Sequence, residues 1–226
     1  MSWIARLRSL LSRQTPATRV GTRRPSAVER TDDVVREDEL RAKLISDPND
    51  IEAFKALAEL VRSHAAGAAP ADPLTADHHV EAKDRAADLA VWSLAEEIAG
   101  NSRAWYALVE LARLSLHDDR EGAMRRLGGA CERDTTGAAL AESVRMLREE
   151  DLPGEGFGLG VGHWNAKEHV VEAGVQVIRA ALEAHRPAEA RRLLDAMTAE
   201  RHDAAATAAA AELEPEVAAA EAGSNA

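Results

Sequence analysis

The sequence contains few aromatic residues, and this scarcity restricts the class of fold. Aromatic residues make up 3% of the 226 residues, whereas apolar residues make up 46%, much of it alanine. Runs of β-branched residues, which are typical of strands, are also rare. A core of small side chains suits closely packed helices rather than sheets. The composition therefore excludes an all-β or an α/β fold and predicts an all-α protein.

Cysteine and lysine are also scarce. The only cysteine, Cys131, cannot form an internal disulfide, which suits a reducing compartment. We expect it to be a buried, inert thiol within a helix. Lysine occurs only at Lys43, Lys55, Lys83 and Lys167, and all other basic side chains are arginine. Together with the excess of alanine, this bias is typical of a GC-rich bacterial genome.

The glycine-rich stretch GEGFGLGVG, at Gly154–Gly162, invites comparison with phosphate-binding loops. A dinucleotide fingerprint needs glycines at relative positions 1, 3 and 6 after a strand, and a P-loop needs a following Gly-Lys-Ser/Thr. The stretch meets neither condition. We predict an extended connector that inserts Phe157, Leu159 and Val161 into a packed surface. A loop that binds a ligand or a peptide is the alternative.

Candidate catalytic and metal-binding groups are few. The segment HWNAKEH at 163–169 approaches an inverted zinc-protease motif, but Asn165 stands in place of its first histidine. His78 and His79 have no third ligand at metal spacing, and no Gly-x-Ser-x-Gly motif is present. The sequence thus predicts a protein that is not an enzyme and that holds no metal and no cofactor. An enzyme whose active site has no recognisable sequence motif is the alternative.

Charge is distributed unevenly along the chain. Residues 1–30 hold seven arginines and one acid, a net charge of +6, and because the whole chain carries −11, residues 31–226 carry −17. The segment SWIARLRSLLSR at 2–13 places its apolar side chains on one arc of about 120° of a helix, with arginines at its edges. We predict an amphipathic basic helix at 1–13 that forms on contact with a surface, and a flexible linker at 14–33. The predicted docking residues are Trp3, Ile4, Arg6, Leu7, Arg8, Leu10, Leu11 and Arg13.

Two surfaces suit this amphipathic helix, an anionic membrane and a groove on a protein. Folding back onto the acidic body, a nucleic-acid or ribosome contact through the arginines, and a mitochondrial-type presequence are alternatives. Nucleic acid is the less favoured partner, because contact with phosphates does not need an apolar stripe. A secretory signal fits poorly, since arginines interrupt the apolar segment. No uncharged apolar run of about 18 residues occurs, so we expect a cytoplasmic protein that this helix can hold at the inner face of the membrane.

The body of the chain contains an internal repeat. The segment ALAELVR at Ala56–Arg62 returns as ALVELAR at Ala107–Arg113, with five of seven positions identical. Apolar spacing of i, i+3, i+4 and i+7 predicts a helix for each copy. The pattern resembles the tetratricopeptide repeat (TPR), a helix–turn–helix unit of 34 residues. Its consensus roles fall to Phe54, Leu57, Ala58 and Val61 in the first copy and to Trp105, Leu108, Val109 and Ala112 in the second.

The departures from that repeat define the predicted domain. The two copies lie 51 residues apart rather than 34, which indicates an insertion at 65–77. A weaker unit follows, with Val177, Ala181, Ala190 and Leu194 in register. The resemblance implies an all-α, right-handed solenoid of stacked antiparallel hairpins over 34–203, with Trp105 buried between helices. The tail at 204–226 is rich in alanine and glutamate, and we predict it to be loosely helical or disordered.

The resemblance also implies that the chain binds another protein as a scaffold or adaptor. In that family the first helices of the hairpins line a concave surface that holds a peptide or a helix. By register with the family, the exposed concave positions are Glu52, Lys55, Glu59, Arg62, Arg103, Tyr106, Glu110 and Arg113. The repeated Glu-x-x-Arg spacing fits a ladder of recognition groups, and it fits equally well two surface salt bridges worth tenths of a kcal/mol.

Overall fold

The computed structural model describes residues 27–68 and 76–224, and the side chains within these ranges except those of 27–31 and 76–82. The predicted helix at 1–13 and all eight of its docking residues lie outside the described residues. The chain divides into two units, 1–35 and 36–226. Of the first unit, only the start of one helix is described. That helix begins at Ala27, inside the linker predicted at 14–33.

The described part of the chain holds ten helices and no strand, which confirms the predicted all-α class. No helix in the described ranges combines the length and the apolar character that a membrane span requires. The helices are α1 (Ala27–Ser46), α2 (Ile51–Ala68), α3 (Ala76–Ala99), α4 (Tyr106–Ser115), α5 (Arg120–Arg133), α6 (Ala138–Glu149), α7 (Pro153–His163), α8 (Val171–Glu183), α9 (Pro187–Glu200) and α10 (Ala204–Ser224).

From α2 onward, each helix packs against the next one in the chain. The helices α4, α6 and α8 also pack directly against one another in that order, and α10 packs against α8. This order of contacts is that of stacked hairpins in a helical repeat solenoid. The shared core between the helices is built mostly from alanine, leucine and valine, as the composition predicts.

Two of the hairpins have the same turn. Asp151 after α6 and His185 after α8 both adopt left-handed backbone angles, with φ of 59° and 58°. In each turn the following amide closes the end of the helix, from Leu152 N to Leu147 O and from Arg186 N to Ala181 O, both at 2.8 Å. A proline in the first turn of the next helix follows in both cases. Asp151 and His185 are 34 residues apart, so α6–α7 and α8–α9 are successive copies of one unit.

The start of α4 is fixed by a residue from a distant loop. The Asn49 side chain accepts hydrogen bonds from the backbone N–H groups of Trp105 and Tyr106, at 2.8 and 3.1 Å. Trp105 is buried, as predicted, and its ring packs edge-on against Tyr106 at 5.8 Å. The hydrogen bonds of Asn49 satisfy amides that have no partner within the helix.

The glycine-rich stretch is a helix, so the predicted extended connector is wrong. Pro153 starts α7, and Gly156 and Gly160 face its neighbours, where a side chain on Gly160 would collide with Val177. Phe157 and Leu159 are buried as expected, whereas Val161 is exposed. Close contact of the α7 backbone with α8 therefore stabilises a helix that glycine alone disfavours.

The alanine-rich tail is also ordered, which corrects the prediction of a loose or disordered segment. It forms α10, which buries Leu213 and Val217 against the preceding hairpin. Two arginines of that hairpin bind its glutamates, Arg179 from α8 to Glu212 and Arg191 from α9 to Glu214 and Glu221. The tail is thus the last helix of the array.

Candidate functional site

Two adjoining hollows are lined mostly by residues of α6 and α8, and we call them together the groove. The larger hollow, the charged cleft, has a volume of about 600 Å³. The smaller one, the apolar pocket, has a volume of about 240 Å³. Both include Arg145. The charged cleft is lined by Arg145, Arg148, Glu149, Asp151, Pro153, Gln176 and Glu183, and the apolar pocket by Ile51, Trp105, Ala138, Ala141, Glu142, Arg145, Val170 and Glu172.

Both arginines of the groove are already paired. Arg145 donates a hydrogen bond to Glu142 and lies 3.6 Å from Glu149, and the hydrogen bond with Glu142 raises the pKa of Arg145 further above its ordinary value. Arg148 binds both carboxylate oxygens of Glu183 on the next hairpin and donates to the Gln176 side chain. These contacts hold both arginine side chains against carboxylates of α6 and α8.

A buried polar cluster lies beneath the apolar pocket. Glu142 is 7% exposed, and while one of its carboxylate oxygens accepts from Arg145, the other has no hydrogen-bond partner among the described residues. The Tyr106 hydroxyl is likewise buried without a partner in the described part. Burial first, and then the charge of Glu110, raise the pKa of Tyr106 well above its ordinary value.

The buried position of Tyr106 contradicts the prediction that it lies on an exposed concave surface. The residue is fully buried, with its ring 5.3 Å from that of Phe54 in an edge-on contact. Lys55, the equivalent residue of the first copy, is exposed. Tyr106 is covered by edge-on ring contacts with Phe54 and with Trp105.

The other predicted concave residues fall into two groups. Glu110 and Arg113 of α4 form an ion pair at 3.5 Å, and Arg113 lies 3.8 Å from Glu149, so this pair adjoins the groove. The rest line neither hollow, although all are exposed: Glu52, Lys55, Glu59, Arg62 and Arg103. Arg62 pairs with Asp88 on α3 at 3.5 Å.

Most groove residues come from α6 and α8, and none of them was among the predicted concave residues. The sequence nevertheless contained a pattern that indicates them. The segment ALAESVR at Ala139–Arg145 matches ALAELVR in six of seven positions, and it is a further copy of the repeat. The segment AGVQVIR at Ala173–Arg179 follows 34 residues later and keeps its first and last residues. The same three-residue spacing before an arginine therefore occurs in four segments: Glu59 and Arg62, Glu110 and Arg113, Glu142 and Arg145, and Gln176 and Arg179.

Elsewhere the described residues offer little reactive chemistry. Cys131 is half-buried near the end of α5, and burial raises the pKa of its thiol to about 12. Within the described ranges, no three histidine, cysteine, aspartate or glutamate side chains are grouped as metal ligands. The Asn165 side chain accepts a hydrogen bond from the Lys167 N–H at 3.0 Å, which closes a turn before α8.

Comparisons with known proteins were made at three levels. No family model, no curated protein and no solved structure matches the chain.

Proposed function

We propose that this protein is a non-catalytic, TPR-like adaptor that holds a peptide or a helix of another protein in the groove. Its hairpins and the 34-residue spacing of Asp151 and His185 support a repeat of TPR length. The direct packing of α4, α6 and α8 supports a layer that forms the inner side of a curved array.

The groove is the observation that carries this proposal. It runs along α6 and across to α8, and it joins an apolar pocket to a cleft with charged walls. Recognition grooves for peptides combine these two properties, since apolar anchors give affinity and polar groups fix register. Its polar groups are also held in place, because Arg145 and Arg148 are both bound by neighbouring carboxylates.

The uneven charge supports a second part of the proposal. Residues 1–30 carry +6 and an amphipathic pattern, whereas residues 31–226 carry −17. We propose that the basic segment docks on an anionic membrane surface or on a partner and so localises the adaptor. A contact with nucleic acid through the arginines is the alternative, and it would weaken steeply with added salt.

Site-specific photo-crosslinking in the native cell tests the adaptor function. A photoreactive residue would replace Asp151 or Glu172, which line the groove, or Glu132 on α5 as the matched control. We expect the same discrete protein adduct from both groove positions and none from the control. Adding Ala138→Trp should reduce the adduct, because the larger side chain fills part of the apolar pocket. An identical set of adducts at all three positions would contradict the proposal.

The same experiment, repeated without residues 1–30, separates the two parts of the proposal. If the basic segment only localises the protein, then the groove adducts persist in a cell extract and are reduced only in intact cells. If the adducts also disappear in extract, the segment takes part in holding the partner, and its role as a localisation device is wrong.

A further inference from the structure

We propose that the peptide held in the groove is basic, and that one of its lysine or arginine side chains enters the apolar pocket. This inference rests on the proposed peptide-binding function and specifies the chemistry of the partner. It is derived from the balance of charges in the groove and from the lining of the pocket.

The groove carries an excess of negative charge. Five carboxylates and two arginines line its two hollows, so its formal charge is −3. Arg113 at its edge lies 3.5 Å from Glu110 and 3.8 Å from Glu149, and adding both Arg113 and Glu110 to the count leaves the balance at −3. The five carboxylates belong to Glu142, Glu149, Asp151, Glu172 and Glu183.

Neither arginine is available to an anionic ligand. Arg145 lies between Glu142 and Glu149, and Arg148 is bound at both carboxylate oxygens of Glu183. An acidic peptide would have to displace these carboxylates and would meet the remaining negative charge. A basic peptide leaves both pairs intact and is attracted by that charge.

Two carboxylates of the groove have no cationic partner among the described residues. Asp151 is exposed at the end of α6, next to the charged cleft. Glu172 is exposed at the rim of the apolar pocket, where it accepts a hydrogen bond from the Gln176 amide at 2.7 Å. These two groups lie at opposite ends of the groove, so a bound segment with separated basic residues can reach both.

The apolar pocket suits the side chain of lysine or arginine. Its volume of about 240 Å³ lies below the range of about 300–1,000 Å³ typical of sites for small-molecule ligands, and it has room for one long side chain. Ile51, Trp105 and Val170 supply apolar walls for a methylene stem, and Glu172 lies at the rim for a cationic head. A leucine in the same place would cover Glu172 without a countercharge, which is unfavourable.

Selection from a library of random 12-residue peptides displayed on phage tests the inference. The full chain is immobilised, and the bound peptides are sequenced and compared with the unselected library. We expect enrichment of arginine and lysine. The best peptide should lose about two- to fivefold in affinity for each of Glu149→Gln and Glu172→Gln, the range for a partly exposed ion pair. Both residues are exposed, so these variants should fold normally.

The control is Glu132→Gln, which removes the same charge from α5, a helix that contributes to neither hollow. Equal enrichment and affinity in control and groove variants would mean general attraction to an acidic protein, and would overturn the inference. Acidic or uncharged peptides that lose affinity in Arg148→Glu would also overturn it, while leaving the peptide-binding function standing. If no peptide can be selected at all, the proposed function itself fails.

Discussion

At the scale of single residues, Tyr106 combines complete burial with charged neighbours. It is the chain's only tyrosine, and it is fully buried, with Glu110 and Glu142 as charged neighbours. Burial, the larger cause, and the charge of Glu110 raise its pKa above the ordinary 10.0. The folded protein therefore keeps a proton that the unfolded chain releases above pH 10.0. The contribution to stability is complete below that pH and is lost as the pH rises above it.

Tyr106→Phe should therefore reduce the fall in the free energy of unfolding at high pH. Above pH 10.0 we expect the free energy of unfolding of the parent to fall by up to about 1.4 kcal/mol per pH unit from this residue, and we expect no such contribution from the variant. Below that pH the two should differ little, since within the described ranges no group lies at hydrogen-bonding geometry to the hydroxyl. Urea denaturation at several pH values measures both effects.

Both proteins in this comparison should carry Cys131→Ala. Burial raises the pKa of the Cys131 thiol from 9.0 to about 12, so the thiol would cause its own loss of stability at high pH and would obscure that of Tyr106. Phenolate absorbance gives an independent check, because the single tyrosine should ionise only when the protein unfolds. Ionisation of Tyr106 near pH 10.0 in the folded protein would show that the hydroxyl is accessible and that the buried cluster is misplaced.

Trp105 connects the core to the groove, because it is buried beside Tyr106 and also lines the apolar pocket. Trp105→Ala should lower the free energy of unfolding by about 3–5 kcal/mol, the usual cost of emptying a core aromatic site. Leu89→Ala on α3 is the control, because Leu89 is 61% exposed and its truncation should cost less than about 0.5 kcal/mol. A cost below about 1 kcal/mol for Trp105→Ala would mean that its ring does not pack between helices.

At the scale of elements, α7 shows how packing overrides local preference. Its glycines fall into two sets, since Gly156 and Gly160 face neighbouring helices, whereas Gly154, Gly158 and Gly162 have no atoms near the position of a side chain. Each glycine costs about 0.5–1 kcal/mol relative to alanine within a helix. The buried set allows α7 to approach α8 closely, and the exposed set makes no such contribution.

A matched pair of substitutions distinguishes the two sets. Gly158→Ala should raise the free energy of unfolding by about 0.5–1 kcal/mol, because a methyl group there meets open space and favours the helix. Gly160→Ala should lower it by about 1–3 kcal/mol, because the new Cβ would lie 2.5 Å from a Val177 methyl. Urea denaturation of both variants measures the difference. Equal effects would mean that α7 does not pack on α8 through Gly160.

Elements with strong local signals were predictable from the sequence. The ALxELxR repeats placed α2 and α4, and Asp50, directly before α2, caps that helix with its side chain accepting a hydrogen bond from the Ala53 N–H at 2.9 Å. Pro187 begins α9, where the missing N–H of proline costs no hydrogen bond. The start of α4 was not predictable, because it is capped by the side chain of Asn49. A capping residue 56 positions away in the sequence cannot be recognised from the residues around the start of the helix.

The elements that were missed depend on distant contacts. Glycine content argued against a helix at α7, which is stabilised by contact with Val177. Alanine content argued against order in α10, which is held by Arg179 and Arg191. Part of the groove was predictable, since the ALAESVR segment matches the repeat and so indicates Glu142 and Arg145 as site residues. The pairing of Arg148 with Glu183 could not be foreseen, because only the packing of α6 on α8 brings them together.

At the scale of the whole molecule, the two parts of the chain carry opposite net charges, +6 over residues 1–30 and −17 over residues 31–226. The groove lies within the part that carries −17, and it is itself acidic. The basic segment at 1–30 carries the opposite charge and an apolar stripe. A surface attracts such a segment by two forces that respond differently to salt, because screening weakens the attraction of charges and leaves apolar burial nearly unchanged.

Flotation with lipid vesicles separates these two forces in the full chain. With vesicles that contain anionic lipid, the parent should float, and Leu7→Glu should abolish flotation at any salt because it interrupts the apolar stripe. Arg6→Gln with Arg13→Gln should weaken flotation mainly at low ionic strength, since at physiological salt the charges act only over about 8 Å. Leu89→Glu, a similar change at an exposed site on α3, is the control and should float like the parent.

Flotation of Leu7→Glu equal to that of the parent would show that residues 1–13 do not dock through their apolar stripe. Binding to an RNA oligonucleotide that Leu7→Glu leaves intact would instead assign the arginines to phosphate contacts.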